Sequence, residues 1–89
     1  MTDLTSSAEV NPSSMQQLTP NDIYQRLAEK VSRYNAGLLL DSAMIRSGIP
    51  YDQKDVVLAP DLAKDLCLQL IRQGGPAFHV GQAFYRQLQ

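Results

Sequence analysis

Cys67 and His79 are the one pair of residues in the sequence with the types needed for a nucleophile and its base. An imidazole beside a thiol activates it for attack on a substrate. Cys67, however, falls in an apolar stripe of a predicted helix, where a thiol packs as a small hydrophobic residue. His79 follows Phe78 near a predicted helix start, where an imidazole commonly caps or packs. We therefore expect structural roles for both residues and predict no catalytic residue.

The sequence also lacks the residue sets that bind metals and cofactors. One cysteine and one histidine cannot supply the ligands of a structural zinc site, and a single cysteine excludes an internal disulfide. The sequence contains no glycine-rich loop of the kind that holds a nucleotide phosphate. These features predict a non-enzymatic protein with no metal and no cofactor.

Three basic residues, Arg26, Lys30 and Arg33, share one face of a predicted helix at i, i+4 and i+7. Such a stripe can rest on the phosphates of a nucleic acid. Asp22 and Glu29 lie close to it, and the whole chain has eight Lys and Arg against nine Asp and Glu. Because a formal charge of −1 gives no field that attracts nucleic acid, we interpret the stripe as a solvated face. An acidic protein is a better candidate partner for it than DNA.

The chain around these residues is predicted to be helical. Thr19 can cap a helix whose first position is Pro20, and Asp22 suits the positive end of the helix dipole. Gly48 and Pro50 end the same helical segment. Its apolar residues recur every three or four positions, with Asp41 as the polar member of the series: Tyr24, Leu27, Val31, Tyr34, Leu38 and Ile45.

This segment is too long to be one helix of a compact domain. A continuous helix over residues 20–47 measures about 42 Å at 1.5 Å per residue. The folded part of so short a chain is only about 25–30 Å across. We therefore predict a break near Asn35, Ala36 and Gly37, because Asn and Gly tolerate the left-handed conformation in which helices end. The alternative is that one end of an unbroken helix projects and needs a partner to cover it.

Asp41 interrupts the apolar runs at residues 38–40 and 43–45. In one interpretation its side chain points to solvent as the apolar stripe rotates around the helix. In the other it is a half-buried carboxylate that accepts a hydrogen bond from an arginine or from a tyrosine hydroxyl. That donor belongs either to the same chain or to a second subunit.

Two further helices are predicted after a connector. Residues 51–59 read as an extended connector whose apolar side chains fill the core. A helix begins at Pro60 or Asp61 and ends at Gly74 and Gly75, and a short last helix follows Pro76. Their predicted core faces are Leu62, Ala63, Leu66, Cys67, Leu70 and Ile71 in the first, and Ala77, Gly81, Phe84, Tyr85 and Leu88 in the second.

Residues 1–18 differ in composition from the rest of the chain. Six of these eighteen residues are Ser or Thr, and none is aromatic, so they bury too little apolar surface to offset the entropy of ordering. We predict a disordered N-terminal tail over residues 1–18 and an all-α domain, a small bundle of three or four helices, over residues 19–89. The sequence shows neither an export signal nor an apolar run of roughly 20 residues, so we expect a cytoplasmic protein without membrane contact.

The function predicted from these features is protein–protein interaction through an amphipathic helical face. An adaptor, a regulatory subunit, an assembly factor and a small chaperone all fit this description. The partner is another protein or a second copy of the chain (a homodimer), since residues 38–40 span about 200° of a helix and one face cannot bury all three. The predicted partner-binding residues are Tyr24, Leu27, Val31, Tyr34, Leu38, Leu39 and Leu40.

The alternative is a small DNA-binding transcriptional regulator with a helix-turn-helix-like arrangement. That unit joins its two helices by three or four residues. In this sequence residues 48–58 separate the two clearest helices, which is too long a connection. A break at Gly37 makes a tighter pair, but its second helix is too apolar to face a DNA groove. We therefore do not expect nucleic acid as the partner.

Overall fold

A computed structural model describes residues 17–89 of the chain. Across this part the backbone forms four α-helices and no strand: α1 (Pro20–Leu27), α2 (Arg33–Arg46), α3 (Pro60–Gln73) and α4 (Gly75–Leu88). The prediction of an all-α fold with three or four helices is confirmed. The predicted tail falls mostly on residues 1–16, which lie outside the described residues.

The first helix begins as predicted at Pro20 after the Thr19 cap, and Asp22 completes a capping box there. The Thr19 hydroxyl accepts a hydrogen bond from the Asp22 backbone N–H (3.2 Å), and the Asp22 carboxylate accepts one from the Thr19 backbone N–H (2.9 Å). These bonds satisfy backbone donors that the start of a helix leaves free. Pro20, which has no N–H to satisfy, lies at the start of α1.

The break in the first helical segment lies earlier than predicted. α1 ends at Leu27, and α2 begins after Ser32, whose Oγ accepts a hydrogen bond from the Asn35 backbone N–H (3.1 Å). The predicted break at residues 35–37 is wrong, because Gly37 lies inside α2. The serine cap satisfies a free backbone donor, so the helix restarts there and carries Gly37 within it at a cost of about 1 kcal/mol relative to alanine.

The position of the break changes which apolar residues face the core. The fully buried residues of α1 and α2 include Ile23, Leu27, Ala36, Leu40, Ala43 and Met44. Tyr34, Leu38 and Ile45, which the predicted stripe contained, are 75 %, 52 % and 63 % exposed. A helical stripe advances by about 100° per residue, and the non-helical residues 28–32 do not keep that rotation. The stripe of α1 therefore does not continue onto α2.

The second helix ends as predicted at Gly48. The φ angle of Gly48 is 74°, in the left-handed region where glycine is favoured. The next residue, Ile49, donates its backbone N–H to the Met44 carbonyl (2.9 Å) and buries its side chain. This is the hydrogen bond expected when a chain turns back on the helix that it has just left.

The connector between α2 and α3 adds one buried apolar residue to the core. Leu58 is buried, whereas Val56 and Val57 are 51 % and 54 % exposed, so the prediction that connector side chains fill the core is wrong for the two valines. The Leu58 backbone N–H donates to the Leu18 carbonyl (2.8 Å). Leu18 is itself buried, with 5 % exposure. It was assigned to the tail from composition, but it belongs to the folded core.

The last two helices pack closely against each other after a turn at Gly74, whose φ angle is 76°. Their buried residues match most of the predicted faces: Ala63, Leu66, Cys67, Leu70, Ala77, Val80, Gly81 and Phe84. The end of α3 also holds α2, since the Gln73 side-chain amide donates to the Leu39 carbonyl (3.0 Å). The core thus lies between α3 and α4 on one side and the inner faces of α1 and α2 on the other.

Candidate functional site

The described residues hold neither a reactive thiol nor a cluster of metal ligands. Cys67 is fully buried, and this desolvation raises the pKa of its thiol from 9.0 to about 12, so the nucleophilic thiolate does not form near neutral pH. His79 is exposed on α4 and lies edge-on to Phe78, with ring centroids 5.3 Å apart. Within residues 17–89 no three His, Cys, Asp or Glu residues are arranged to hold a metal ion.

An open groove of about 420 Å³ lies where α1, α2 and the connector meet. We call it the α2 groove. It is lined by Asn21 and Tyr24 from α1, by Arg33, Tyr34, Gly37, Leu38 and Asp41 from α2, and by Lys54 from the connector. The lining combines aromatic and aliphatic side chains with charged groups, a mixture that is common where proteins contact one another.

Two exposed apolar residues of the α2 groove lie close to Gly37 along α2. Tyr34 and Leu38, four residues apart on α2, are 75 % and 52 % exposed. A Cβ atom built at Gly37 would meet no atom within 4 Å, so the missing side chain leaves open space between its neighbours. Tyr24 contributes a second aromatic ring from α1. The groove therefore offers aromatic and aliphatic contacts around a point where the backbone of α2 is accessible.

The polar side of the α2 groove is built on an ion pair between Asp41 and Lys54. The Lys54 ammonium lies 2.8 Å from Asp41 Oδ1, an oxygen with no access to solvent. Lys54 also donates to the Tyr51 carbonyl and lies 5.8 Å from the centroid of the Tyr51 ring. Its own carbonyl accepts from the Asn21 N–H (2.9 Å). The connector is thereby tied to both α1 and α2.

The partner of Asp41 was not identified from the sequence. Asp41 was expected either to point to solvent or to be satisfied by an arginine or a tyrosine hydroxyl. Its side chain is 38 % exposed, and it pairs with a lysine thirteen residues further along the chain. A lysine in an irregular connector has no periodic relation to a helix, so spacing along the sequence gave no signal for this pair.

The three basic residues predicted to share a helical face lie on three different elements. Arg26 is on α1, where it pairs with Glu29 (3.7 Å) and lies 5.7 Å from the Phe84 ring centroid. Lys30 lies in the turn between α1 and α2, and Arg33 begins α2. The break at residues 28–32 therefore places the three basic residues on different parts of the chain. Of the three, Arg33 lines the α2 groove.

The structure brings part of the predicted partner-binding set together. Tyr24, Tyr34 and Leu38 line the α2 groove. Leu27 and Leu40 are fully buried, so their assignment to a binding surface is corrected: they are core residues. Val31 and Leu39 are partly buried against the core. The groove residues that sequence reasoning did not assign to the site are Asn21, Arg33, Gly37, Asp41 and Lys54. The residue type of Gly37 was an available signal, but it was interpreted as a helix break, whereas Gly37 lies inside α2.

The helix pair α1–α2 bears on the DNA-binding alternative. Residues 28–32 join these helices, close to the length of a helix-turn-helix connection. The outward face of α2, however, presents Tyr34, Leu38 and Ile45, which offer few of the hydrogen-bond donors that read base edges.

In the described part of the chain, no helix is long and apolar enough to cross a membrane. Comparison with protein-family models, with curated proteins and with solved structures finds no match to this chain.

Proposed function

We propose that this chain is a non-enzymatic protein–protein interaction module that binds a polypeptide partner in the α2 groove. An adaptor, a regulatory subunit, an assembly factor or a small chaperone would each use such a surface. The observation that carries the proposal is the exposure of Tyr34, Leu38 and Ile45 on one helix, two of them beside an open groove.

The exposed residues are of the types that stabilise protein interfaces. Burying a leucine or isoleucine side chain fully contributes about 1.5–3 kcal/mol relative to leaving it in water. Tyrosine is enriched at interfaces because its ring is apolar while its hydroxyl still reaches a hydrogen-bond partner. Tyr34 and Leu38 can therefore supply most of the binding energy in a small contact, as a few residues usually do.

The charged residues that line the α2 groove favour an amphipathic partner. Arg33 is exposed, and neither of the ion pairs found among residues 17–89 includes it. Asp41 and Lys54 form a fixed pair on the same surface. A helix with an apolar stripe and an acidic residue beside it fits this combination, and the helix-in-groove mode is a recurrent form of peptide recognition.

We place the module in the cytoplasm, where its one cysteine stays a free thiol. Cys67 is buried without a disulfide partner, and a reducing compartment keeps such a thiol reduced. This location is part of the proposal and is tested by fractionation of cells that carry the tagged full chain. Recovery of the chain outside the cytoplasmic fraction would contradict it.

Site-specific photocrosslinking tests the binding proposal. A photoreactive phenylalanine derivative is placed at Leu38 in the α2 groove, and in a matched variant at Leu68, which is 39 % exposed on α3. On irradiation in cells we expect a discrete protein adduct from position 38 and none from position 68. Adding Tyr34→Glu should remove the adduct, because a charge replaces an apolar contact. No adduct from position 38, or the same adduct from both positions, would contradict the proposal.

A further inference from the structure

We propose that the occupant of the α2 groove is a second copy of this chain, with the two α2 helices running in opposite directions and crossing at Gly37. This inference rests on the proposed function, since it names the partner of the same groove. The two copies are related by a two-fold axis that passes close to Gly37, so each copy presents the same surface to the other.

The two glycines that lie in helix interiors, Gly37 and Gly81, support a close helix contact at Gly37. Gly81 of α4 shows what a glycine does inside a helix of this protein. A Cβ atom there would lie 2.7 Å from the Cys67 carbonyl oxygen and 2.9 Å from Leu70 Cβ, so its absence lets α3 approach. Gly37 also lies inside a helix, yet a Cβ atom there would meet nothing within 4 Å. A glycine in this position lowers the stability of the helix. A helix from a second copy that packs closely against Gly37, as α3 packs against Gly81, accounts for the glycine.

The charges on α2 select the direction of the second helix. Arg33, Gly37 and Asp41 follow one row at i, i+4 and i+8, and all three line the α2 groove. Such rows are the ridges that meet in common helix packings. With the helices antiparallel, Arg33 of each copy lies opposite Asp41 of the other, each about 6 Å along the axis from Gly37. A parallel pair would instead place Arg33 opposite Arg33 and Asp41 opposite Asp41, which is repulsive.

Apolar residues beside Gly37 can fill the same contact. Tyr34 lies three residues before Gly37 and Leu38 one residue after it, and both line the α2 groove. An antiparallel second copy therefore brings its own Tyr34 and Leu38 against the open space at Gly37. A stable interface of standard size buries about 800 Å² of solvent-accessible surface on each partner, which is more than one helix face offers. The contact must therefore include Tyr24 and the exposed Tyr51 beside Lys54, and we expect a dissociation constant in the micromolar range.

Exchange of the two charges tests both the partner and the direction. Sedimentation of the full chain between about 1 and 200 µM should show a reversible monomer–dimer equilibrium. Arg33→Glu and Asp41→Lys should each weaken self-association at least about 10-fold, because each places two like-charge contacts across the two-fold axis. In the heterodimer formed from an equimolar mixture, both contacts between positions 33 and 41 across the axis are again between opposite charges. The mixture should therefore form heterodimers within about 3-fold of the original affinity.

Two further variants keep the test free of folding effects. Arg72→Glu makes the same change of charge on an exposed residue of α3 and should leave self-association unchanged. Thermal unfolding of each variant confirms that it folds. If Asp41→Lys does not fold because it meets Lys54, the combined Asp41→Lys and Lys54→Glu variant restores an ion pair within the chain. That variant then replaces Asp41→Lys in the mixture.

The outcomes separate this inference from the proposed function. A chain that stays monomeric at 200 µM, or a dimer that neither charge variant weakens, would overturn it. Single variants that dissociate without recovery in the mixture would overturn the antiparallel arrangement. A monomeric chain that still forms an adduct from Leu38 with a different protein would overturn the second copy as occupant and leave the proposed function standing. A monomeric chain with no adduct from Leu38 would overturn both.

Discussion

A Cβ atom at Gly81 would lie 2.7 Å from the backbone carbonyl oxygen of Cys67, closer than real Cβ contacts come. The neighbour is backbone in the middle of α3, so it cannot rotate away. The next nearest atom, Leu70 Cβ at 2.9 Å, is also fixed to its helix. The packing distance between α3 and α4 therefore depends on the absence of one methyl group.

We expect Gly81→Ala to lower the free energy of unfolding by about 1–3 kcal/mol, the usual cost of overpacking. The loss should occur although alanine is the better helix former by about 1 kcal/mol. Urea denaturation monitored by circular dichroism measures it. An unchanged or raised midpoint would show that α3 and α4 separate without cost.

Gly37→Ala should have the opposite effect on the isolated chain. The Cβ atom meets open space and the residue lies inside α2, so we expect a gain of about 0.5–1 kcal/mol. The measurement is urea denaturation at submicromolar concentration, where a micromolar dimer is dissociated. In the same variant the second helix can no longer approach Gly37, so dimer formation should weaken. A loss of stability in the dilute chain would contradict the open space at this position.

Leu18 should be required for stability, in contrast to the tail assignment made from composition. It is buried and its carbonyl accepts from the Leu58 N–H, so Leu18→Ala should cost about 2–5 kcal/mol. A chain that begins at Thr19 should lose at least as much. A chain that begins at Gln17 keeps Leu18 and is the control, with an expected melting temperature within a few degrees of the full chain. Equal losses in the two truncations would refute the role of Leu18.

Burial of Cys67 should make stability fall at alkaline pH. Its pKa is raised from 9.0 to about 12, so the unfolded chain loses the thiol proton at a lower pH than the folded chain does. The contribution of the Cys67 thiol to the free energy of unfolding is intact below pH 9. It is lost as the pH rises from there toward 12. In that window we expect the free energy of unfolding to fall by up to about 1.4 kcal/mol per pH unit relative to Cys67→Ala. Urea denaturation of both proteins at several pH values tests this, and parallel pH profiles would contradict it.

The sequence by itself determined that the folded part of the chain is all-α, and it determined the start of α1 and the ends of α2 and α3. The capping box of Thr19 and Asp22, the left-handed Gly48 and the turn at Gly74 act over three or four residues, so each is readable from its neighbours. The core faces of α3 and α4 were likewise predictable, because both helices are regular and a period of about 3.6 residues holds along each of them.

The tertiary structure decided what local patterns do not contain. The turn at residues 28–32 set the rotation of α2, and with it the burial of Leu40 and the exposure of Leu38. Leu18 is held at the core by a backbone hydrogen bond from Leu58, forty residues away, and the path of the connector places Lys54 beside Asp41. Short-range signals act through hydrogen bonds within one turn of chain. The α2 groove, by contrast, depends on where three separate segments meet, and that is settled only when their apolar faces pack together.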